Sequence, residues 1–251
     1  MPLFGTLDLD RALASAPRIA DLSPPTWELP GAETLQVSYE VAEDPALAVT
    51  PPALHPSIPP YATFSVCRFP ESPVGPFDLA MVRLIVRAGI RPRGLLIGAF
   101  TDSPAAAERL RDDWGYRVSV ATVEFTRRHD QIRGTVSIDG TMALDARLQD
   151  PEPVAGGDLE LFDNLHLVNV AGGESLIVQI DGTYQYHGAE RGAADLARFD
   201  PEPLGITGIE PVYAVVAVAC RADTELAPPR FVIDPAVPAV AGTRRLDRAR
   251  G

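Results

Sequence analysis

The sequence of 251 residues contains no lysine. All 22 basic residues are arginine, so the α-amino group of Met1 is the only primary amine in the chain. Chemistry that needs a lysine amine, such as Schiff-base formation with a ketone substrate, is therefore excluded at every side chain. The Met1 amine would have to thread past a proline-rich segment to reach the interior of a fold, and we expect no such role.

Basic charge and cysteine are also scarce. A net charge of -12 argues against nucleic acid as a partner, because phosphates require a basic surface. We interpret the one basic cluster, at 244–250, as a solvated end. Cys67 and Cys220 lie in apolar, strand-like runs and are expected to be buried free thiols, with a disulfide as the alternative. No Cys/His pair has metal-ligand spacing, so neither a metal nor another cofactor is expected.

Long apolar runs are missing too. No run reaches the roughly 18 residues that a membrane-spanning helix requires. The N-terminal residues lack the basic and hydrophobic regions of a secretory signal. These observations predict a cytoplasmic protein with no membrane partner.

What the sequence does contain is a series of short strand patterns. Apolar and polar residues alternate over 35–41, and Asp139-Gly140 between two alternating runs predicts a hairpin. Ser103-Pro104 predicts the start of the one clear helix, over 105–113. About nine strands and few helices predict an α+β fold that is mainly antiparallel β, with one or two short helices. A closed barrel or cone suits this pattern because closure removes edge strands.

The predicted domain organisation is simple. We expect an extended lead-in over 1–31, in which 8–16 could form a short helix before Pro17, a single domain over 32–234, and a disordered tail over 235–251. A split into two domains at the loop 150–157 is the alternative.

Two segments resemble the acetoacetate decarboxylase family. They are FPES-x-VGPF at 69–77 and AF-x-DSPAA-x-ERLRDDWGY at 99–116. Glu71 and Ser72 occupy the place of that family's catalytic-glutamate loop, and the Trp-Gly-Tyr motif precedes the place of its paired active-site lysines. The resemblance covers about 30–232 and implies the family's β-barrel or cone fold and a homo-oligomer.

At the lysine positions this sequence departs from the family. In the family, the motif continues with a proline and two lysines, one of which forms a Schiff base with the substrate. Here Arg117 stands for the proline, and Val118 and Ser119 stand for the lysines. The family's carboxylate-binding arginine aligns near Ala32. The resemblance therefore implies the fold but not the family's named reaction.

The residues left at these positions are the candidate site. Arg117 could stabilise a developing oxyanion, Glu71 could act as general acid or base, and Ser119 could donate a hydrogen bond. The alternative for each of these residues is a solvated strand or loop residue without a catalytic role. Alternation places Arg117 and Ser119 on one strand face and the two neighbouring residues on the other. The substrate-binding candidates are Tyr116, Trp114, Ser72, His55 and Val118.

Two functions remain open. The first is a lyase-like enzyme that acts on a small oxo or hydroxy compound by acid/base catalysis and oxyanion stabilisation. Its reaction would be a dehydration, enolisation, aldol or cyclisation step, or a decarboxylation, as secondary metabolism uses. The second is a degenerate family member that binds a small molecule without turnover. A small molecule is the expected partner in both cases.

Overall fold

The computed structural model describes residues 3–89 and 91–246. Within these ranges the helices are short: α1 (Leu9–Ala14), α2 (Glu43–Val49), α3 (Pro104–Trp114), α4 (Ala239–Gly242) and a 3-10 turn at Gly156–Asp158. The strands are β1 (Arg18–Ile19), β2 (Trp27–Val41), β3 (His55–Pro56), β4 (Tyr61–Phe69), β5 (Phe77–Arg87), β6 (Pro92–Thr101), β7 (Val118–Val120), β8 (Thr122–Arg127), β9 (Gln131–Ile138), β10 (Thr141–Pro153), β11 (Asn164–Val170), β12 (Glu174–Ile180), β13 (Gly182–Phe199), β14 (Pro211–Leu226), β15 (Phe231–Ile233) and β16 (Thr243–Arg245).

All of these strands belong to one sheet. Its main path runs β16-β15-β12-β11-β6-β5-β4-β2-β14-β13-β10-β9-β8, with β1, β3 and β7 attached beside it. Neighbours pair antiparallel except β11 with β6, β1 with β11 and β6 with β7. The predicted mainly antiparallel α+β fold is therefore confirmed.

The sheet curls without a closed hydrogen-bond ladder. Its path ends at β16 on one side and at β8 on the other, so the strictly closed barrel that we expected is not formed by strand pairing. Instead, β8 and β9 lie against β4 and β5 across the interior. The curl brings apolar side chains together, and packing rather than backbone pairing completes the cone.

Strands such as β2, β4 and β5 contribute to two apolar layers, because successive side chains point to opposite faces. The inner layer contains Val37, Phe64 and Val82 among its members. The outer layer contains Cys67 and Met81, together with aromatic and aliphatic residues from α3 and β11–β12. Along β4 and β5 this second face also carries buried polar residues, which is where the candidate site forms.

Local signals in the sequence account for α3 and for one hairpin. Ser103 Oγ accepts a hydrogen bond from Ala106 N at 3.2 Å, as the predicted N-cap requires. The helix ends at Gly115, whose φ of 68° suits glycine, and a Cβ there would lie 2.2 Å from Val168 Cγ1. Asp139 and Gly140 both have positive φ between β9 and β10, as a tight hairpin turn requires.

The predicted ends of the domain differ from the structure. The short helix expected within the lead-in is α1, but β2 already begins at Trp27, inside the predicted lead-in. The expected disordered tail forms α4 and β16 over 239–245, while 247–251 lies outside the described residues. Composition suggested disorder there, but the free edge of β15 supplies backbone partners for β16.

None of the described helices is long and apolar enough to cross a bilayer. Cys67 and Cys220 are both buried free thiols, as expected from their apolar surroundings.

Candidate functional site

Arg83 is a buried cation in the middle of β5, with only 5% of its surface exposed. Its Nη1 donates to Phe162 O at 2.7 Å and to Asn164 Oδ1 at 3.0 Å. Its Nη2 donates to Gln36 Oε1 at 2.9 Å and to Ser65 Oγ at 2.7 Å. Its Nε has no hydrogen-bond partner among the described residues.

The charge of this guanidinium is not neutralised by its direct partners. All four acceptors are neutral. Burial lowers the pKa of Arg83, yet arginine keeps its proton in proteins. A buried charge is costly unless it is paired. An anionic group beside Arg83 would therefore be stabilised strongly.

A cavity of about 80 Å³ lies beside Arg83. Pockets for drug-sized ligands measure about 300–1,000 Å³, so this smaller space suits a small organic molecule. Most of its wall is apolar: Trp27, Leu29, Phe69, Phe77, Leu79, Met81, Leu110, Leu161, Ile180 and Leu226. Polar atoms come from Thr34, Ser65, Cys67, Asp163, Asn164, Tyr116, Tyr184, Thr224 and Glu225. The combination of apolar walls and a few convergent polar groups is typical of a ligand site.

Asp163 is the half-buried carboxylate of this wall, whereas Glu225 is exposed. Burial raises the pKa of Asp163, Gly182 N opposes the shift by donating to Oδ1 at 2.9 Å, and the neighbouring Asp181 raises the pKa further. Asp181 is itself held by Gln179 Nε2 at 2.7 Å. A carboxyl group whose pKa is raised beside a cavity is suited to exchange protons with a ligand.

Two tyrosines supply neutral hydroxyl groups. Asn164 Nδ2 donates to the Tyr116 hydroxyl at 3.3 Å, and Tyr116 is only 3% exposed. Tyr184 lines both the cavity and an outer groove, so its ring is partly exposed. Burial raises the pKa of both phenols. They therefore stay protonated at neutral pH and can donate to a ligand oxygen.

The predicted catalytic residues do not line this cavity. Glu71 is exposed on the loop between β4 and β5. Arg117 and Ser119 share one strand face, as predicted, but that face points outward and both residues are exposed. Tyr116 and Val118 take the buried face, so Tyr116 is the predicted residue that reaches the cavity. The physical reason is that the outer apolar layer can accept an aromatic ring and a valine but not a free guanidinium.

Trp114 and Val118 are packing residues. Trp114 is fully buried, its ring lies 5.0 Å from that of Trp27, and its Nε1 donates to Ala227 O at 3.3 Å. Val118, which the sequence resemblance aligns with one of the family's lysines, is buried in the same apolar layer. That position therefore still points into the layer that surrounds the cavity, but it carries no reactive group.

Ser72 and His55 stabilise local structure. The Ser72 hydroxyl donates to Gly75 O and accepts from Val74 N, which closes the loop after β4. His55 Nδ1 lies 2.8 Å from Leu3 O, and its ring packs on Phe4. Neither side chain lines the Arg83 cavity, although both had been predicted to contact substrate.

Sequence reasoning did not select Arg83, Asp163 or Asn164. One signal was present, since Arg83 interrupts the apolar run over 79–88 of a strand that is buried on both faces. A charged residue in such a strand indicates a buried site. Asp163 and Asn164 lie in a segment without a motif, and only the fold brings them to Arg83.

The structure is thus a curled antiparallel sheet with a candidate ligand cavity in its outer layer. The acetoacetate decarboxylase family model matches residues 13–235, and the chain belongs to that family. A comparison with curated protein sequences found no match.

Solved structures show the same fold. The chain is similar to acetoacetate decarboxylase from Legionella pneumophila subsp. pneumophila str. Philadelphia 1, with a TM-score of 0.69 and 18% identity over 82% of this chain and 86% of that one. It is similar to the enduracididine biosynthesis enzyme MppR, complexed with the condensation product of pyruvate and imidazole 4-carboxaldehyde, with a TM-score of 0.67 and 17% identity over 83% and 89%. An acetoacetate decarboxylase-like enzyme from Sphingomonas wittichii RW1 has a TM-score of 0.59 and 13% identity over 84% and 92%.

Proposed function

We propose that the chain is an enzyme that binds a small oxo or hydroxy acid in the Arg83 cavity and catalyses a proton transfer there without a Schiff base. The observation that carries this proposal is the buried guanidinium whose four direct acceptors are all neutral. A carboxylate or enolate in the cavity would supply the missing negative charge. The cavity volume of about 80 Å³ restricts the ligand to a small acid.

The wall around Arg83 strengthens this attraction. Aromatic and aliphatic side chains exclude water, and Coulomb interactions increase as the local dielectric constant falls. The hydroxyl groups of Tyr116 and Tyr184 add hydrogen-bond donors that need no reorganisation. Without an iminium, such preorganised donors are what remains to stabilise an enolate oxygen.

Asp163 takes the proton in this proposal. Its carboxylate removes a hydrogen from the carbon beside the carbonyl group, the C–H electron pair moves into an enolate, and Arg83 binds the enolate oxygen. Return of the proton from Asp163 restores the enzyme. Enolisation, aldol or cyclisation, dehydration and decarboxylation all pass through such a species. The pyruvate-derived ligand named for MppR supports an oxo acid as substrate class, and its biosynthetic role supports secondary metabolism.

The test is proton NMR in D2O with pyruvate, 2-oxobutyrate and acetoacetate. We expect deuterium to replace the hydrogens beside the carbonyl group in the presence of the wild-type protein. Arg83→Gln should lose both binding and exchange. Asp163→Asn should keep binding and lose exchange, because an amide cannot accept the proton. Glu71→Gln is the matched control and should behave as wild type, since Glu71 is exposed.

Four outcomes would count against the proposal. Exchange that persists in Arg83→Gln would show that the reaction does not take place in the Arg83 cavity. Exchange lost in Glu71→Gln but not in Asp163→Asn would return the role to the glutamate loop. Binding without exchange for every acid would favour the non-catalytic alternative. Borohydride treatment with each acid should give no mass adduct, and an adduct at Met1 would restore iminium chemistry.

A further inference from the structure

A second and larger cavity lies on the other side of the wall behind the Arg83 cavity. Strands β6 and β11 pair at Asn164–Gly94 and Leu165–Leu95 and then separate. The space between them, covered by α1 and α2, has a volume of about 640 Å³. We call it the α1 cleft. Its lining residues are Leu7, Asp8, Arg11, Ala12, Ser15, Pro45, Ala48, Val49, Pro51, Leu95, Leu96, Ile97, Gly115, Arg117, His166, Leu167, Thr207 and Gly208.

The rim of the α1 cleft carries two cations. Arg117 Nη2 donates to Ser15 Oγ at 3.1 Å, and the Arg11 side chain has no hydrogen-bond partner in the described part of the chain. Asp8 is the one acidic residue of the lining, and its Oδ1 accepts from Arg11 N at 3.1 Å to cap α1. Two guanidinium groups against one carboxylate make this cleft locally positive, in a chain whose net charge is -12.

His166 lines the α1 cleft and carries a buried acceptor that is not used. The residue is 1% exposed, and its Nδ1 lies 2.8 Å from Trp114 O. Because a carbonyl oxygen can only accept, Nδ1 carries the hydrogen and Nε2 holds a lone pair. Nε2 has no partner among the described residues. Burial lowers the pKa of His166 to about 4, so the ring is neutral at neutral pH.

We propose that the α1 cleft is a second binding site, for a hydroxylated carboxylic acid with an apolar body. The carboxylate lies between Arg11 and Arg117, and the hydroxyl group donates to His166 Nε2. The apolar body packs on the aliphatic wall of the cleft, which includes Leu95, Ile97 and Leu167. An unpaired buried acceptor is costly, so a ligand that supplies the hydrogen gains that free energy on binding.

The two sites share one wall. The His166 ring meets the Tyr116 ring edge-on, with 4.3 Å between centroids. The Tyr116 hydroxyl lines the Arg83 cavity on the opposite side. A ligand in the α1 cleft should therefore shift the NMR signals of Tyr116 without entering the Arg83 cavity. The proposal does not depend on the function assigned to Arg83.

Binding of 3-hydroxyoctanoate, measured by calorimetry with octanoate alongside, tests this site. The hydroxy acid should bind more tightly than octanoate, by about tenfold for one well-made hydrogen bond. Arg117→Gln and Arg11→Gln should each weaken binding of both acids by about tenfold. His166→Asn keeps a donor for Trp114 O and removes Nε2, so it should abolish the preference for the hydroxy acid. The matched control is Arg128→Gln, at an exposed arginine outside the cleft.

Other results would overturn the proposal. Failure of 3-hydroxyoctanoate to bind at millimolar concentration would do so, as would equal affinity of wild type, Arg11→Gln and Arg117→Gln. Loss of binding in Arg83→Gln, with full affinity in Arg117→Gln, would place the acid in the other cavity. If His166→Asn weakens binding of the hydroxy acid no more than it weakens binding of octanoate, Nε2 has no part in recognition.

Discussion

Two arginine-bearing hollows lie on either side of the Tyr116–His166 contact. In the smaller one Arg83 is buried and held by four neutral acceptors, whereas in the α1 cleft Arg11 and Arg117 are exposed at the rim. The side-chain chemistry is the same, but the electrostatic consequences differ. A guanidinium in a dry cavity attracts an anion far more strongly than one that water already solvates. Burial is therefore the reason that we propose Arg83, and not Arg117, as the centre of the reaction.

The largest expected effect comes from removing Trp114, whose ring packs on Trp27 of the Arg83 cavity and whose carbonyl oxygen contacts His166 of the α1 cleft. Trp114→Ala removes an indole that is fully buried against Trp27. We expect the free energy of unfolding to fall by about 3–5 kcal/mol, since loss of a large buried aromatic leaves a cavity. Urea denaturation measures it. A loss below about 1 kcal/mol would show that the Trp114 ring is loosely packed.

The comparison becomes quantitative when Arg83 and Arg117 are each replaced by leucine in separate variants. Arg83→Leu removes the donor from buried acceptors on Gln36 and Ser65 and from a partly buried one on Asn164. We expect it to destabilise the fold by at least about 2 kcal/mol, since each unsatisfied group costs about 1–3 kcal/mol. Arg117→Leu should change stability by about 0.5 kcal/mol or less. Equal effects in thermal and urea denaturation would mean that burial does not distinguish the two sites.

Asp163→Asn sharpens the electrostatic side of the comparison. Burial raises the pKa of Asp163 above 3.8, so the folded state favours the protonated carboxyl group. As pH rises from the ordinary aspartate pKa to the raised pKa of the folded state, the unfolded chain releases its proton first. The wild-type fold therefore loses stability over this pH range. The variant cannot ionise. It should be more stable than wild type at about pH 7, by about 1.4 kcal/mol for each unit of pKa shift.

Urea denaturation between about pH 3 and pH 8 checks this sign. The two stabilities should converge below the ordinary aspartate pKa of 3.8. Asp158→Asn, at an exposed aspartate outside the Arg83 cavity, is the control and should show no such divergence. If Asp163→Asn is the less stable protein at neutral pH, the hydrogen bond from Gly182 outweighs burial, and Asp163 is permanently ionised.

The smallest effect is expected in the loop that resembles the family's glutamate loop. Glu71→Gln should change the free energy of unfolding by about 0.5 kcal/mol or less, because Glu71 is exposed and no described hydrogen bond or ion pair holds it. Thermal denaturation in low and high salt would measure it. A marked loss, or a salt-dependent one, would mean that the loop closes on the body of the protein in solution.

Much of the fold could be predicted from local patterns. The Ser103-Pro104 start of α3 and the Asp139-Gly140 turn depend on hydrogen bonds and backbone angles within a few residues. Alternation along 35–41 predicted half of a longer strand, β2. The strand β16 could not be predicted, because its order comes from the distant edge of β15 rather than from its own composition.

Less of the Arg83 cavity could be predicted from the sequence, for the same reason. Alternation correctly separated Arg117 and Ser119 from Tyr116 and Val118, but it could not say which face would be covered. Asn164 and Arg83 are 81 residues apart in the chain and meet through a hydrogen bond. Pairings at that separation depend on the whole topology of the sheet, and single-sequence patterns do not encode them.

The sequence by itself determined that no side chain here can form a Schiff base, since it contains no lysine. It also determined the strand periodicity and the start of α3, which depend on covalent structure and short-range hydrogen bonds. Only the tertiary structure decided that Arg83 is buried and Arg117 exposed. That distinction arises because Phe162, Asp163 and Asn164 cover the face of β5, which removes water from one guanidinium and leaves the other solvated.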